Sequence, residues 1–424
     1  MKIKTKYNLL SADKKQLFSN IYYLAIVQGI NYILPLLTLP YLSRILGPSN
    51  IGIIAFSGAV IGYLVLITDF GFNLSATRQI SIHRKDLNEV NKVFSSVLTI
   101  KFILMFFCFL LLVLANFLLK WNNLEIKIFI ITFGMVIGRV IDMFWIFQGF
   151  EMMKYITYLN LSTRILFTIG VFIFVKSPTD ILIVPILTTF GYIFSGLISL
   201  VLLYYRFNIR FIWQPLKYLL YQFREGGHLF LSTITSSLYT TSSTIILGFF
   251  SSSATVGYFS SADKIIQAVK SIYTPISQAI FPYLSLKLHD NPKNGILIVK
   301  KLSFYIGILM FIISLFLFIF SDLIVEILLG KEFQQSVVLL RIMSFLPFII
   351  SLGNSLGVQT MINMGNKKLY SIILFIAALI GVSFSILLVP KFKEIGSSIT
   401  LLISETFVTI ALIYFMRKKI FVNE

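Results

Sequence analysis

Long apolar runs, each followed by a short polar turn, limit how this chain can fold more than any other feature. About twelve such runs reach the roughly twenty residues that a helix needs to cross a bilayer. Apolar residues make up 57% of the 424 residues, and the mean hydropathy is +0.89. A backbone surrounded by lipid must satisfy its own hydrogen bonds, which helices do. The sequence therefore predicts an all-α integral membrane protein with about twelve transmembrane helices.

The strongly basic character of the chain has a simple explanation in such a protein. The formal net charge is +19. With the amino terminus placed in the cytoplasm, about 23 of the 36 Lys and Arg residues fall in cytoplasmic segments and about seven in outer loops. This is the bias that orients membrane proteins. We therefore predict that both termini are cytoplasmic, and we expect no nucleic-acid partner.

The two halves of the chain share short motifs at matching positions. Residues 45–52 and 250–257 each form a predicted outer turn that opens a helix with a hydrophobic residue and a glycine. Residues 148–155 and 363–370 each form a predicted inner turn after the fourth span of a half. Two repeats of six spans are common in transporters, with the substrate site at their interface.

We therefore divide the chain into an amino-terminal six-helix lobe at residues 1–205, a cytoplasmic linker at 206–227 and a carboxy-terminal six-helix lobe at 228–424, around a central cavity. The linker places Leu216, Leu219, Leu220 and Phe223 on one helical face. This pattern predicts an amphipathic helix on the inner membrane surface. A disordered basic linker is the alternative.

One span, residues 256–284, carries polar residues at helical spacing along one face, from Ser260 to Gln278. Its charged members are Asp263, Lys264 and Lys270. A membrane helix does not turn such a stripe toward lipid. We therefore expect the stripe to line a water-filled cavity through which a polar substrate crosses the membrane.

Charged residues in other predicted spans allow two interpretations. The charges within spans are the cations Arg139, Arg164, Lys264 and Lys270 and the carboxylates Asp142, Asp263 and Glu405. In the first, Arg139 pairs with Asp142 on one helix and Asp263 with Lys270, purely to fix helix positions. In the second, the excess cations attract a phosphate-bearing substrate, and a carboxylate binds the coupling ion. Lys101 and Arg341, near predicted span ends, are expected to extend their side chains to the interface.

Catalytic, metal and cofactor motifs are lacking in the sequence. It contains one cysteine, Cys108, and three widely separated histidines, so no metal site is expected. There is no phosphate-binding glycine loop with lysine and no Gly-x-Ser-x-Gly elbow. The predicted outer loops are too short for the catalytic domain of an extracytoplasmic glycan polymerase. We therefore predict a protein that is not an enzyme and needs no cofactor.

Three longer motifs are specific enough to compare with known families: the outer turn Tyr-Leu-Ser-Arg-Ile-Leu-Gly-Pro at 41–48, Asp-Phe-Gly-Phe at 69–72 followed by Ala-Thr-Arg at 76–78, and Phe-Trp-Ile-Phe-Gln-Gly-Phe-Glu-Met-Met-Lys-Tyr at 144–155. They resemble those of the Wzx-type O-antigen flippases, a family that exports polysaccharide precursors. The resemblance implies the two-lobed fold of the multidrug, oligosaccharidyl-lipid and polysaccharide exporters, similar to that of the MATE transporters. It also implies a bacterial inner-membrane location.

The resemblance further implies a function. Such a protein moves undecaprenyl-pyrophosphate-linked oligosaccharide, an O-antigen or capsule unit, to the outer leaflet by alternating access driven by H⁺ or Na⁺. Its partners would be this glycan, membrane lipids and glycan polymerase or assembly proteins. Asp69 and Arg78 are assigned to a gate by the motif alone. The alternatives are a multidrug or organic-cation exporter of the same fold and, less favoured, a membrane-embedded glycan-processing enzyme.

Overall fold

The computed structural model describes the backbone of residues 12–421 and the side chains of residues 34–417, except those at 231, 232, 236, 239, 240, 279, 282, 289, 292 and 293. The described part is α-helical, with no strand between residues 12 and 421. This confirms the predicted all-α class. The chain termini lie outside the described residues, so their cytoplasmic location stays a prediction.

Fourteen α-helices follow one another within the described residues. The first seven are α1 (Ala12–Asp69), α2 (Phe72–His83), α3 (Leu87–Leu119), α4 (Asn123–Val140), α5 (Phe144–Gly149), α6 (Met153–Phe174) and α7 (Ile183–Phe207). The next seven are α8 (Leu216–Phe250), α9 (Ser253–Asp290), α10 (Pro292–Ile319), α11 (Ser321–Leu328), α12 (Gln335–Met343), α13 (Leu346–Leu356) and α14 (Lys367–Phe421). Short 3₁₀ turns at Pro178–Leu182 and Lys331–Phe333 precede α7 and α12, and a π-helical turn at Gly357–Ile362 follows α13.

Two of these helices, α1 and α14, are long enough for two membrane crossings. α1 has 58 residues and would measure about 87 Å if straight, against a hydrocarbon core of about 30 Å. It is interrupted at Gly47, whose φ of 72° is in the left-handed region that glycine tolerates. α14 is also interrupted, at Lys393, a residue other than glycine with a φ of 47°. Each of these helices can therefore cross a membrane twice.

The number of membrane crossings remains a prediction. Seven helical stretches of the described chain are long and apolar enough to cross a membrane, and the stretches that contain the breaks in α1 and α14 are two of them. α4 is not among the seven, because its 18 residues include Glu125, Lys127 and Arg139. The polar helices α8 and α9 are not among them either.

Contacts divide the chain into two compact units. The first contains Ile61–Phe174 and Leu182–Thr233, together with the stretch before Leu36. The second contains Leu36–Val60, Val175–Ile181 and the chain from Ile234 onward. The division into two six-helix lobes at residues 1–205 and 228–424 stays a prediction. The predicted linker helix and seventh span form one unbroken helix, α8.

In the second unit, the two outer turns that match in sequence also contact each other. A Cβ atom on Gly52 would lie 1.6 Å from the carbonyl oxygen of Ser253, and one on Gly257 would lie 1.9 Å from that of Pro48. Only glycine, whose side chain is a single hydrogen atom, permits the two backbones to approach this closely. The hydrophobic-Gly pair that opens each helix is therefore a packing requirement.

Helix starts follow local capping chemistry. The Asp86 side chain accepts hydrogen bonds from the backbone N–H groups of Asn88 and Glu89 at the start of α3. Asn122 and Glu125 form a reciprocal capping box at the start of α4. Ser252 caps α9 through the N–H of Thr255. The first two caps fix where α3 and α4 begin, and these helices carry Lys101 and Arg139, which are described next.

Candidate functional site

Four charged side chains of the first unit form what we call the charge cluster: Asp69, Lys101, Arg139 and Asp142. Lys101 Nζ lies 2.9 Å from Asp69 Oδ1, and Arg139 Nη1 lies 3.1 Å from Asp142 Oδ2. Asp69 ends α1, while Lys101 and Arg139 lie on α3 and α4. Two cations and two carboxylates sum to zero formal charge, so the cluster does not carry the predicted cation excess by itself.

Lys101 lies in the interior of the first unit, where its side chain is 2% exposed. Besides Asp69, its ammonium group donates to the backbone carbonyl oxygen of Arg139 at 3.1 Å. The carbonyls in the last turn of a helix lack partners within the helix, and a cation there also complements the helix dipole. The prediction that Lys101 extends to the membrane interface is therefore wrong: the lysine is an internal partner of Asp69 and of the end of α4.

Arg139 and Asp142 pair as the first interpretation proposed, but not on one helix. α4 ends at Val140, and Asp142 lies in the short break before α5. Its Oδ1 accepts a hydrogen bond from the N–H of Phe144 at 3.1 Å. Ser199 of α7 contacts both sides of the break, because its hydroxyl donates to the carbonyl of Ile141 and accepts from the N–H of Met143.

Glycines bring α4 and α7 close enough to hold this break in place. Gly134 and Gly138 are four residues apart on α4, the spacing of small residues at membrane helix interfaces. A Cβ atom on Gly138 would lie 2.6 Å from the backbone carbon and Cβ of Tyr192, and one on Gly196 would lie 2.8 Å from the carbonyl oxygen of Gly138. The position of Arg139 therefore depends on Gly138, the residue before it, which lets α4 pack closely against α7.

The charge cluster borders a cavity of about 280 Å³, which we call the arginine cavity. The residues around it are Asp69, Asn73, Lys101, Arg139, Asp142, Phe144, Trp145, Gln148, Met153 and Ile156. Within the described part of the chain, Arg139 Nε and Nη2 have no hydrogen-bond partner, and the side chain is 33% exposed. An arginine has five N–H donors. Arg139 can therefore bind an anion while Asp142 still holds it.

Arg164 lies beside a different and smaller cavity of the first unit, of about 80 Å³. Asn160, Thr163, Thr188 and Tyr192 supply its polar lining. The described residues include no ion-pair partner for Arg164. The structure thus places Arg139 and Arg164 at separate cavities.

Tyr192 connects the surroundings of the two arginines. It lines the small cavity, and its ring centroid lies 5.6 Å from the guanidinium carbon of Arg139. A cation over an aromatic face at this distance is attracted to it. Tyr192 was not predictable from the sequence, since nothing local distinguishes it among 20 tyrosines.

The other candidate residues lie in the second unit. Asp263, Lys264 and Lys270 are on α9, and Glu405 is half-buried on α14. The Asp263 carboxylate accepts a hydrogen bond from Gln267 at 3.3 Å. No ion pair between Asp263 and Lys270 occurs among the described side chains, so the predicted pairing of these two is not found. That Lys264 and Lys270 line one cavity together with Arg139 stays a prediction.

Asp69 and Arg78, which the motif assigned to a gate, are not brought together. Asp69 is buried in the charge cluster, where Asn73 also donates to it at 3.2 Å. Arg78 is exposed on α2 and lines another cavity. The gate role of both residues stays a prediction.

Comparison with known proteins identifies the family. Residues 17–286 match the family model described as polysaccharide biosynthesis protein. The chain belongs to this family. A protein of Escherichia coli (strain K12), described as a candidate O-antigen transporter, is 35% identical over 96% of this chain and 98% of its own length. One of Shigella dysenteriae with the same description is 32% identical over 92% of this chain and 98% of its own length.

Solved structures of two kinds share the fold of this polysaccharide biosynthesis family member. The lipid II flippase MurJ, in an inward closed conformation, matches with a TM-score of 0.73 and 14% identity over 94% of this chain and 87% of its own. An inward-facing multidrug resistance MATE family transporter of the MOP superfamily matches with a TM-score of 0.68 and 15% identity, covering 95% and 98%. The predicted exporter fold is confirmed, and these relatives and structural neighbours are described as transporters and flippases, not as enzymes.

Proposed function

We propose that this protein is a flippase for lipid-linked oligosaccharide, moving a glycan attached to undecaprenyl pyrophosphate from the cytoplasmic to the outer leaflet of the bacterial inner membrane. The single observation that carries the proposal is the partly exposed edge of Arg139 at the arginine cavity. An unused guanidinium edge matches the oxygens of a phosphate in geometry and charge. The family and the O-antigen transporter relatives support a glycan as the rest of the substrate.

The two arginines divide the headgroup between them in this proposal. Arg139 binds the pyrophosphate, anchored from behind by Asp142 and the ring of Tyr192. Arg164 binds a second anionic or hydroxyl-rich part of the substrate, assisted by Asn160 and Thr188, which line the same small cavity. Hydroxyl and amide groups exchange donors and acceptors with sugar hydroxyls readily. The polyprenyl tail remains in lipid throughout.

The carboxylates of the charge cluster are the proposed link to an ion gradient. Asp69 and Asp142 each neutralise one cation. A proton or Na⁺ arriving at either carboxylate would compete with that cation and free it to bind the substrate anion. Asp263 and Glu405 are the corresponding candidates in the second unit. Alternating access then exposes the bound headgroup first to one side of the membrane and then to the other.

Lys264 and Lys270 complete the proposed cationic path, and Asp69 and Arg78 are the proposed gate. The partners are the lipid-linked glycan, the surrounding lipids, the coupling ion and the glycan polymerase or assembly proteins that act on the product. Lys264 is exposed on the polar stripe of α9, as a substrate contact requires.

Reconstitution into proteoliposomes tests the function. A fluorescent undecaprenyl-pyrophosphate-linked sugar is placed in both leaflets, and a membrane-impermeant glycosidase measures how much of it becomes accessible. We expect transfer that depends on the protein and accelerates with an imposed H⁺ or Na⁺ gradient. Liposomes with a MATE-type substrate cation enclosed serve as the second arm. Cation efflux without glycan transfer would contradict the flippase proposal and would support a multidrug exporter of the same fold instead.

A further inference from the structure

The first unit contains a larger cavity, of about 520 Å³, to which the proposed transport path assigns only Arg78. It lies between α2, the start of α3 and the first half of α8, and we call it the interface cavity. Its volume is in the range of pockets that bind small molecules. Among its lining residues are Arg78, Ile82, Glu89, Tyr218, Tyr221 and Glu225.

Two opposite charges line the interface cavity without neutralising each other. Arg78 and Glu225 are both exposed, and neither forms an ion pair with any described residue. Glu89 is already compensated, because Lys92 Nζ lies 2.6 Å from its Oε1. The cavity therefore offers one cation and one carboxylate at net zero charge. Such a pair complements a molecule that itself carries both an anion and a cation.

The walls of this cavity are held in place by contacts independent of any ligand. Gln79 and Gln222 donate to each other's side-chain oxygens at 2.9 and 2.7 Å, and Gln222 is fully buried. Phe70 stacks on Phe223 with ring centroids 4.2 Å apart. Gly71 and the carbonyl of Gly226 approach so closely that a Cβ would lie 2.5 Å away. A preformed site binds without a large ordering cost.

The surroundings of the interface cavity match the level of lipid headgroups. It lies at the predicted cytoplasmic ends of α2, α3 and α8, and apolar Ile82, Val93 and Leu229 lie beside its charged groups. Tyr218 and Tyr221 have the amphipathic character that favours membrane–water interfaces. Burial raises the pKa of the Tyr218 phenol, which therefore stays a neutral hydrogen-bond donor at neutral pH.

We propose that the interface cavity binds a zwitterionic phospholipid headgroup, with the phosphate on Arg78 and a primary ammonium on Glu225. Arg78 supplies N–H donors to phosphate oxygens, and a carboxylate accepts from an ammonium but finds no donor on a trimethylammonium. Soluble phosphoethanolamine carries the same two groups, a phosphate and a primary ammonium. The adjoining apolar side chains favour the lipid, since an acyl chain covers them.

Binding to the purified full-length protein tests this site. The probes are lysophosphatidylethanolamine, lysophosphatidylglycerol, lysophosphatidylcholine and soluble phosphoethanolamine, and native mass spectrometry measures Kd in one detergent. We expect the ethanolamine lipid to bind at least about tenfold more tightly than the glycerol and choline lipids, as one charge-assisted hydrogen bond predicts. Soluble phosphoethanolamine keeps that hydrogen bond but has no acyl chain to cover the apolar side chains, so it should also bind more weakly than the ethanolamine lipid.

Substitutions of Glu225 and of Arg78 are expected to change lipid binding in different ways. Glu225→Gln should lower ethanolamine lipid binding to the level of the glycerol lipid, whereas Arg78→Gln should weaken both lipids. Arg84→Gln is the matched control, because Arg84 is also exposed near the end of α2 but pairs with Glu151 outside the cavity. It should leave every Kd unchanged.

Three results would overturn the proposal: equal wild-type affinity for all three lipids, variants that bind like wild type, or soluble phosphoethanolamine binding as tightly as the lipid. The last would assign the cavity to a soluble ligand. Glycan transfer is not part of this readout, so the headgroup site can fail while the flippase function holds, and the reverse.

Discussion

Lys101 Nζ and Asp69 Oδ1 lie 2.9 Å apart, and their side chains are only 2% and 11% exposed. Removing one partner of a buried ion pair leaves the other charge uncompensated, at a cost of about 3 to 5 kcal/mol. We predict that Lys101→Met lowers the free energy of unfolding by about 3 kcal/mol. Thermal unfolding of the purified protein, followed by loss of helical circular dichroism, measures this as a lower Tm. Adding Asp69→Asn should restore part of the loss.

Lys92→Met is the matched control for this prediction. Lys92 also lies on α3 and also pairs with a carboxylate, Glu89, but its side chain is 44% exposed. Exposed ion pairs contribute less than about 1 kcal/mol. Equal shifts in Tm for Lys101→Met and Lys92→Met would contradict the prediction, because they would show that the buried ion pair between Lys101 and Asp69 stabilises the protein no more than an exposed one.

The close approach of α4 and α7 at Gly138 gives a second prediction. Gly138→Val would place a Cβ 2.6 Å from Tyr192, forcing the helices apart at the residue next to Arg139. We expect a loss of about 2 kcal/mol or more, as for overpacked cores. Gly62→Ala is the control, because no atom lies within 4 Å of its added Cβ, and alanine favours the helix. Its Tm should be equal or higher in the same unfolding assay, and a Gly138→Val protein as stable as Gly62→Ala would contradict the packing argument.

The fold was predictable where one local pattern decides the outcome. Apolar runs of membrane length predict helices, and the hydrophobic-Gly pair at Gly52 and Gly257 marked two related turns. The break after Val140 was not predictable, because no Pro or Gly lies within residues 141–143. It is stabilised by Ser199, a residue 58 positions from Ile141.

The charge cluster was predictable only in part, because some of its contacts join residues that are distant in the sequence. Arg139 and Asp142 are near in sequence, so their pairing could be proposed from spacing. Lys101 and Asp69 lie on separate helices, and only tertiary packing brings them together. The position of Lys101 near a predicted span end favoured an interfacial lysine, and no local signal indicated a buried carboxylate opposite it.

Arg139 gives a prediction that separates charge from geometry. Arg139→Ala should abolish glycan transfer in proteoliposomes, as should Lys264→Ala, while membrane insertion is retained. Arg139→Lys keeps the charge but loses the planar fork, so we expect a rate lowered by about tenfold. Because Arg139→Ala leaves Asp142 uncompensated, the variant with Asp142→Asn added shows whether lost transfer follows lost stability. Full transfer by both single alanine variants would contradict the cationic path.

Arg164 gives the sharpest test of a functional cation, because no described carboxylate compensates it. A structural arginine is destabilising to remove, whereas an unpaired charge within a membrane span is costly to keep. We therefore predict that Arg164→Gln leaves Tm unchanged or raises it. Transfer of the pyrophosphate-linked glycan should nevertheless fall by about tenfold, the effect of losing one charge-assisted hydrogen bond. Arg164→Lys, measured in the same liposomes, should retain more transfer than Arg164→Gln. A lowered Tm with normal transfer would instead make Arg164 a structural residue of α6.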